Sequence, residues 1–335
     1  MRAFPLSSGF SCFLGDAAAL HVLTAGRDLV HVGWRLLHHP LYGNFRPRED
    51  VKLHEAERAC RIAGLRAAHY LASHCREHPA DTVESYEVPS LREGLTAWPA
   101  LPKVAYIYML QSQGLLHDTW VYGVDAKRIL PTLIAPTEIM DGAIVSGNCV
   151  SACDKNNTYV HQNNPIIREL FRRHGKELNF AGVIITNENV TLADKQRSSS
   201  YAVKLAAMLG VDAAIISEEG FGNPDADLVL NCVKAEKAGI RTVLVTDEFA
   251  GSNGASQSLA DSCVEGDACV TGGNANATIL LPPMEKVIGD IGQADSLAGG
   301  FFGSLRSDGS LEVELQAIMA ATNELGFNRL GAYTI

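Results

Sequence analysis

Near the middle of the chain, Ser146-Gly147-Asn148-Cys149 sets a nucleophilic sulfur one bond from the Asn148 carbonyl, after two residue types that tolerate unusual backbone conformations. A strained bond of this kind can cut itself. Attack of the Cys149 thiolate on the Asn148 carbonyl carbon moves the acyl group from nitrogen to sulfur, the activated-nucleophile step of covalent catalysis applied to the chain's own backbone. β-Elimination of the acylated sulfur would leave a dehydroalanine, and tautomerisation with loss of ammonia would turn position 149 into a pyruvoyl group. The products would be residues 1–148 and 149–335, the second opening on an electrophilic carbonyl with no dissociable cofactor.

Three other readings use the same residues. A cysteine at a strand end is commonly a small hydrophobe in the core, and Gly-Asn-Cys alone favours that reading. Cyclisation of the Asn148 side chain onto its own carbonyl would break the same bond and leave Cys149 intact. An N-terminal-nucleophile amidase would turn Cys149 on a substrate amide, but its nucleophile opens a strand, whereas the segment 150–157 is short, polar and loop-like. Cys149 and Cys153 lie four apart with no second Cys or His pair at ligand spacing, which argues against metal.

Longer runs narrow the choice. Met109–Thr119, Pro136–Lys155 and Asn187–Lys195, followed by Gly220-Phe221-Gly222-Asn223-Pro224, Gly254–Asp261 and Thr322–Asn328, resemble the proprotein subunit of component B of the glycine, sarcosine and betaine reductases. The D-proline reductase proprotein is a more distant member of that group. The resemblance covers roughly residues 103–328, and before about Glu55 the chain is shorter than the family's amino-terminal region and does not match it. It implies cleavage between Asn148 and Cys149, with Cys149 as the source of a covalent pyruvoyl cofactor. It implies a substrate amine held as a Schiff base while a selenolate or thiolate breaks its carbon–nitrogen bond reductively, an oxidoreductase reaction with a disulfide as acceptor. The partners it implies are a selenocysteine- or cysteine-containing subunit of component B and the small selenoprotein A. A quaternary amine such as betaine cannot form that imine. The contrasting reading is a truncated, unprocessed structural or regulatory subunit of such a complex.

The elements that would position this chemistry alternate along the chain. Lys103–Leu110, Phe180–Thr186, Ala213–Ser217 and Arg241–Thr246 read as strands; Ile129–Ala135 and Gly142–Val145 are shorter strand candidates. Helices are expected from Pro165 with Asn164 as cap, from Thr191 to Leu209 behind a capping box, from Asn223-Pro224, and from about Ala255. A further helix is expected over Leu53–Arg76. The fold class is α/β, a mostly parallel sheet with helices on both faces, its carboxyl-terminal part doubly wound. The division expected is an amino-terminal region 1–148 and a carboxyl-terminal α/β region 149–335.

Ligands of such sheets collect at the carboxyl ends of the strands. Those ends read Thr186-Asn187-Glu188-Asn189, Ser217-Glu218-Glu219-Gly220, Thr246-Asp247-Glu248 and Thr271-Gly272-Gly273-Asn274-Ala275-Asn276, four polar loops that suggest one shared site. His117 or His161 could take the amine proton, since imidazole titrates near neutral pH. Each has a plain alternative as a locally satisfied histidine. Lys195, near the Thr191 cap, is a candidate for the substrate carboxylate, its alternative being a solvated surface lysine. Asn276 is a second substrate-binding candidate. His38-His39-Pro40 reads as a surface segment. No P-loop or dinucleotide fingerprint is present.

Bulk properties fit this picture. With 47% apolar and 20% charged residues the chain can bury a substantial core, and a net charge of −10 disfavours nucleic acid and anionic membrane. No apolar run approaches a membrane span and no signal peptide is visible, so a cytoplasmic location is expected. The eight cysteines have no framework spacing and read as reduced thiols. None of the residues is selenocysteine, which assigns any selenium chemistry to another polypeptide.

Overall fold

Six consecutive residues, Ala105–Leu110, are completely buried, and an unbroken apolar run of this length suits a strand covered on both faces. A computed structural model describes residues 9–14, 18–23, 84–113, 119–146, 156, 158–256, 259–283 and 300–315. Its strands are β1 (Gly9–Leu14), β2 (Ala18–Leu23), β3 (Lys103–Leu110), β4 (Thr119–Val121), β5 (Val124–Asp125), β6 (Thr132–Ile134), β7 (Ile144–Ser146), β8 (Asn179–Asn187), β9 (Ala213–Ser217), β10 (Arg241–Glu248), β11 (Cys269–Asn274), β12 (Thr278–Leu281) and β13 (Leu311–Glu314). Its α-helices are α1 (Leu91–Ala97), α2 (Pro136–Met140), α3 (Thr158–Gln162), α4 (Pro165–Arg173), α5 (Leu192–Leu209) and α6 (Asn223–Lys237).

The main sheet runs β11-β10-β9-β3-β8-β6. All its pairings are parallel except the edge strand β6, which is antiparallel to β8. Alternate residues of β3 feed two cores, as the period of a strand requires. Tyr106, Tyr108 and Leu110 pack with Ile139, Ile144, Ile167 and Leu170 of the α2–α4 region. Ala105, Ile107 and Met109 pack with Ala202, Val203 and Ala206 of α5 and Leu228, Cys232 and Ala235 of α6. The α/β class and the mostly parallel sheet therefore stand as read. Strands from both sides of position 148 share this sheet, β3 and β6 from before it and β8–β11 from after it.

Helix ends follow local chemistry. Asn164 Oδ1 accepts the Ile167 N–H (3.1 Å) with Pro165 at the first helical position. Thr191 Oγ1 accepts the Asp194 N–H, but the Asp194 carboxylate bonds the Thr191 hydroxyl, so only half of the expected capping box forms. Gly210 ends α5 at φ +64, a conformation glycine adopts without strain.

One expectation is corrected. No helix starts at Ala255: Gly251 (φ +77) and Gly254 (φ +65) take left-handed backbone, and Asn253 Oδ1 accepts the Ala255 N–H in a turn. Thr119 opens β4, where it, Trp120 and Val121 pair with β7. The strand candidate at 142–145 is β7, in a separate three-stranded sheet β5-β4-β7. The helix expected over Leu53–Arg76 and the His38-His39-Pro40 segment lie outside the described residues. Among the described residues no helix is long and apolar enough to cross a membrane.

Candidate functional site

Polar side chains do not stay inside a protein without partners, yet the carboxyl ends of β3, β8, β9 and β10 carry a buried polar layer. Glu188, Glu218, Glu219 and Asp247 are fully buried there, with Asp225 and Asp227 from the first turns of α6. Successive strands deliver them: each carboxylate follows the last apolar residues of its strand, where the parallel register brings the ends level.

On the β3 side the layer is a chain of hydrogen bonds. The Tyr108 phenol and His161 Nδ1 are 2.7 Å apart, and His161 Nε2 lies 3.6 Å from Glu219 Oε1. Glu219 is held by the Gln111 N–H on Oε2 (2.6 Å) and the Asn156 N–H on Oε1 (3.0 Å). Its own N–H donates to Glu188 Oε1 at 2.8 Å. Asn156 and Thr158 bound the segment that starts after Ser146. Thr158 Oγ1 accepts the Ser146 N–H and donates to the Ser146 carbonyl, both at 2.9 Å, so one hydroxyl pins the two ends of that segment together.

On the other side the acids crowd. Thr246 Oγ1 donates to Glu218 Oε1. Burial, then the neighbouring Glu219, holds the Glu188 carboxyl well above the usual carboxylate range. Burial, then Asp225, does the same to Glu218. Asp227 is pushed up to about 6 by burial, partly offset by Lys195.

Lys195 is only 3% exposed, which removes the solvated-lysine alternative. Its ammonium is bonded to the Asp227 carboxylate and to the Asn223 carbonyl (2.8 Å). His161 stands within the layer. Asn276 does not join it: its Oδ1 accepts the Gly251 N–H (3.1 Å) and its Nδ2 donates to Glu314 (3.3 Å), tying a turn to β13. Asn148, Cys149 and His117 lie outside the described residues. A cavity of about 210 Å³ lined by Gly94, Leu133, His174 and Gly182 opens toward the other end of β8, away from this chemistry.

With this geometry in hand, similarity decides the family. Residues 41–333 match the glycine/sarcosine/betaine reductase component B subunits. The chain belongs to that family. It is 62% identical over 290 residues, 86% of this chain and 67% of the relative, to the glycine reductase complex component B subunits alpha and beta of Acetoanaerobium sticklandii. It is 51% identical over 286 residues, 85% of the chain and 67% of the relative, to the sarcosine reductase complex component B subunit alpha of Peptoclostridium acidaminophilum. The D-proline reductase proprotein of Acetoanaerobium sticklandii is more distant, 25% identical over 205 residues, 56% of the chain and 31% of the relative. The chain thus spans about two thirds of the length of these component B relatives. No solved structure matches. The family match reaches back to residue 41, further than the sequence runs quoted above.

Sequence reasoning about this component B subunit missed Tyr108, which reads as one more apolar residue of a buried strand, and the individual acids of the strand ends. Their signal was present: consecutive Glu218-Glu219 after an apolar run is a costly place for charge unless the site uses it.

Proposed function

We propose that the chain is the pyruvoyl-forming subunit of a glycine- or sarcosine-type reductase complex, cut between Asn148 and Cys149. Membership of the component B family and the intact Asn148-Cys149 pair support this reading. The structural observation that carries it is the double hydrogen bond between Ser146 and Thr158, which ties together two residues that flank the pair in sequence, with His161 on the helix that Thr158 opens. The buried imidazole is a group able to move the proton that the thiol's attack releases.

The donor set fits a pyruvoyl group: an imidazole, a phenol and carboxyl groups can shuttle protons, and nothing in the layer requires a metal. When formed, the group supplies a ketone carbonyl that takes up the substrate's amine and makes its carbon–nitrogen bond easier to break. His161 would take the amine proton, with Tyr108 fixing the ring through Nδ1. Lys195 has three N–H donors, two engaged by Asp227 and Asn223; the third would meet the substrate carboxylate. The partner thiolate or selenolate would come from another subunit of the complex, and His117 remains a candidate proton carrier on the connection after β3.

Denaturing electrophoresis with intact mass tests the reading. Two fragments dividing at 148/149, the second blocked to Edman degradation and reactive with a hydrazine, are the expected result. A free cysteine at the start of the second fragment would mean asparagine cyclisation. A single full-length band in freshly purified complex would sink the proposal in favour of a non-catalytic subunit.

A further inference from the structure

The charges of the buried layer do not balance. Glu188, Glu218, Glu219, Asp225, Asp227 and Asp247 share it with one ammonium, that of Lys195, and the imidazole of His161. Three of these acids are committed. Asp225 receives the N–H groups of Gly222 (2.8 Å) and Ala260 (2.5 Å), Asp227 receives Lys195, and Glu219 receives two backbone N–H groups. Glu188 and Glu218 are each half committed: Oε1 of Glu188 accepts the Glu219 N–H, and Oε1 of Glu218 accepts the Thr246 hydroxyl. The second oxygen of each, Oε2, is buried with no hydrogen-bond donor.

We propose that Glu188 and Glu218 seat the ammonium group of the substrate, and that the seat accepts primary and secondary ammonium but not quaternary. The proposal rests on the reading above that the chain handles a small amine, and adds which residues recognise it and which amines they admit.

Two buried carboxyl oxygens without partners, each an acceptor once its carboxyl ionises, suit a ligand with at least two N–H groups, because an unmade buried hydrogen bond costs more than an average one contributes. Glycine brings three such groups and sarcosine two. Betaine brings none, so its cation would reach the carboxylates without satisfying either oxygen. Among the described residues no three His, Cys, Asp or Glu side chains are grouped to hold a metal ion. The two glutamates also feel each other: Glu218 is among the charges that raise Glu188. A cation between them reverses that repulsion, and both carboxyls, held protonated by burial and by neighbouring acids, then release protons. Asn156, whose N–H bonds Glu219, belongs to the same network.

Isothermal titration of the purified full chain with glycine, sarcosine and betaine, in two buffers of different ionisation enthalpy near pH 7, tests this. A Cys149→Ala chain, which has no β-heteroatom to eliminate and so no route to a carbonyl, is titrated in parallel. Glycine and sarcosine are expected to bind both chains with net proton release, and betaine at least tenfold more weakly. Glu188→Gln and Glu218→Gln should each weaken glycine by tenfold or more. Glycine binding by the Cys149→Ala chain shows the ionic seat whether or not cleavage occurs, so failure of the pyruvoyl reading leaves this result standing. Equal affinity for betaine and glycine, glycine binding without proton release in the unsubstituted chain, or unchanged affinity in a folded Glu188→Gln/Glu218→Gln chain would each overturn it. The first two need no variant to fold.

Discussion

Tyr108 on β3 and His161 on α3, 53 positions apart and both fully buried, meet through a 2.7 Å hydrogen bond between the phenol oxygen and Nδ1. The bond ties the ring's tautomer to a residue remote in sequence, and the ring's other nitrogen, Nε2, faces Glu219 Oε1 at 3.6 Å. Tyr106 lies two residues earlier on the same face, stacked on Tyr108 at 5.0 Å, but its hydroxyl bonds Ser217 (2.6 Å) instead. Tyr108→Phe is therefore expected to slow accumulation of the two fragments by roughly 10²-fold, the scale of a lost proton-transfer contribution. Tyr106→Phe should leave the rate within a few-fold. Time courses on denaturing gels after expression, with melting curves to confirm folding, check this, and equal slowing by both would remove His161 from the cleavage step.

A cut at 148/149 does not free two domains. β3 belongs to the first piece, yet it is paired in parallel with β8 and β9 of the second on both edges, and Ala105–Leu110 are wholly buried between two cores. Each large side chain in that run contributes on the order of 2 kcal/mol by burial. The two fragments should co-elute at one position in size-exclusion chromatography without denaturant and part only in urea or guanidinium. Separation in plain buffer would contradict this pairing.

How far the sequence foretold this arrangement depends on range. Strand β3, the Asn164-Pro165 start of α4 and the Thr191 start of α5 were legible because each is written in neighbouring residues: an apolar run, or a cap with its proline. The helix placed at Ala255 failed because small residues suited to a helix follow two glycines and an Asn253 turn, and a local breaker outweighs a weak propensity. The meeting of Tyr108, His161 and Glu219 could not be read, since it depends on β3 lying between β8 and β9, an order that no local pattern encodes. Lys195 was picked out as a candidate near the Thr191 cap, but its burial against Asp227 depends on how α5 and α6 pack, which only the tertiary structure fixes.

That Lys195–Asp227 pair makes its own prediction. Both partners are buried, and Asp227 keeps the Asn189 N–H (3.3 Å) if the ammonium is removed. Lys195→Met should cost about 3–5 kcal/mol in urea unfolding, the penalty of an uncompensated buried charge. Adding Asp227→Asn, which removes the charge but keeps an acceptor for Asn189, should recover most of it. Additive losses in the double variant would show that the pair is not coupled.

The acid layer should also make the fold weaker as pH rises. Asp227 has its folded value raised to about 6 from 3.8, chiefly by burial, so the folded chain holds that proton more tightly than the unfolded one. Its contribution is full below about pH 4 and is lost as pH climbs through 6, worth on the order of 3 kcal/mol. Glu188 and Glu218, raised well above 4.5, have the same sign and extend the loss to higher pH. Glu169 works the other way, since hydrogen bonding to Arg172 and Arg173 lowers it to about 2, but its effect is confined to acid below its ordinary value. Unfolding free energy measured in guanidinium should therefore fall from pH 5 to pH 8. In Glu188→Gln/Glu218→Gln the fall should be shallower, and at pH 8 that chain should be more stable than the unsubstituted one, because neutral amides replace acids that must otherwise ionise in a buried place. A flat or rising profile in the unsubstituted chain would mean that these carboxyls are already matched by positive charge.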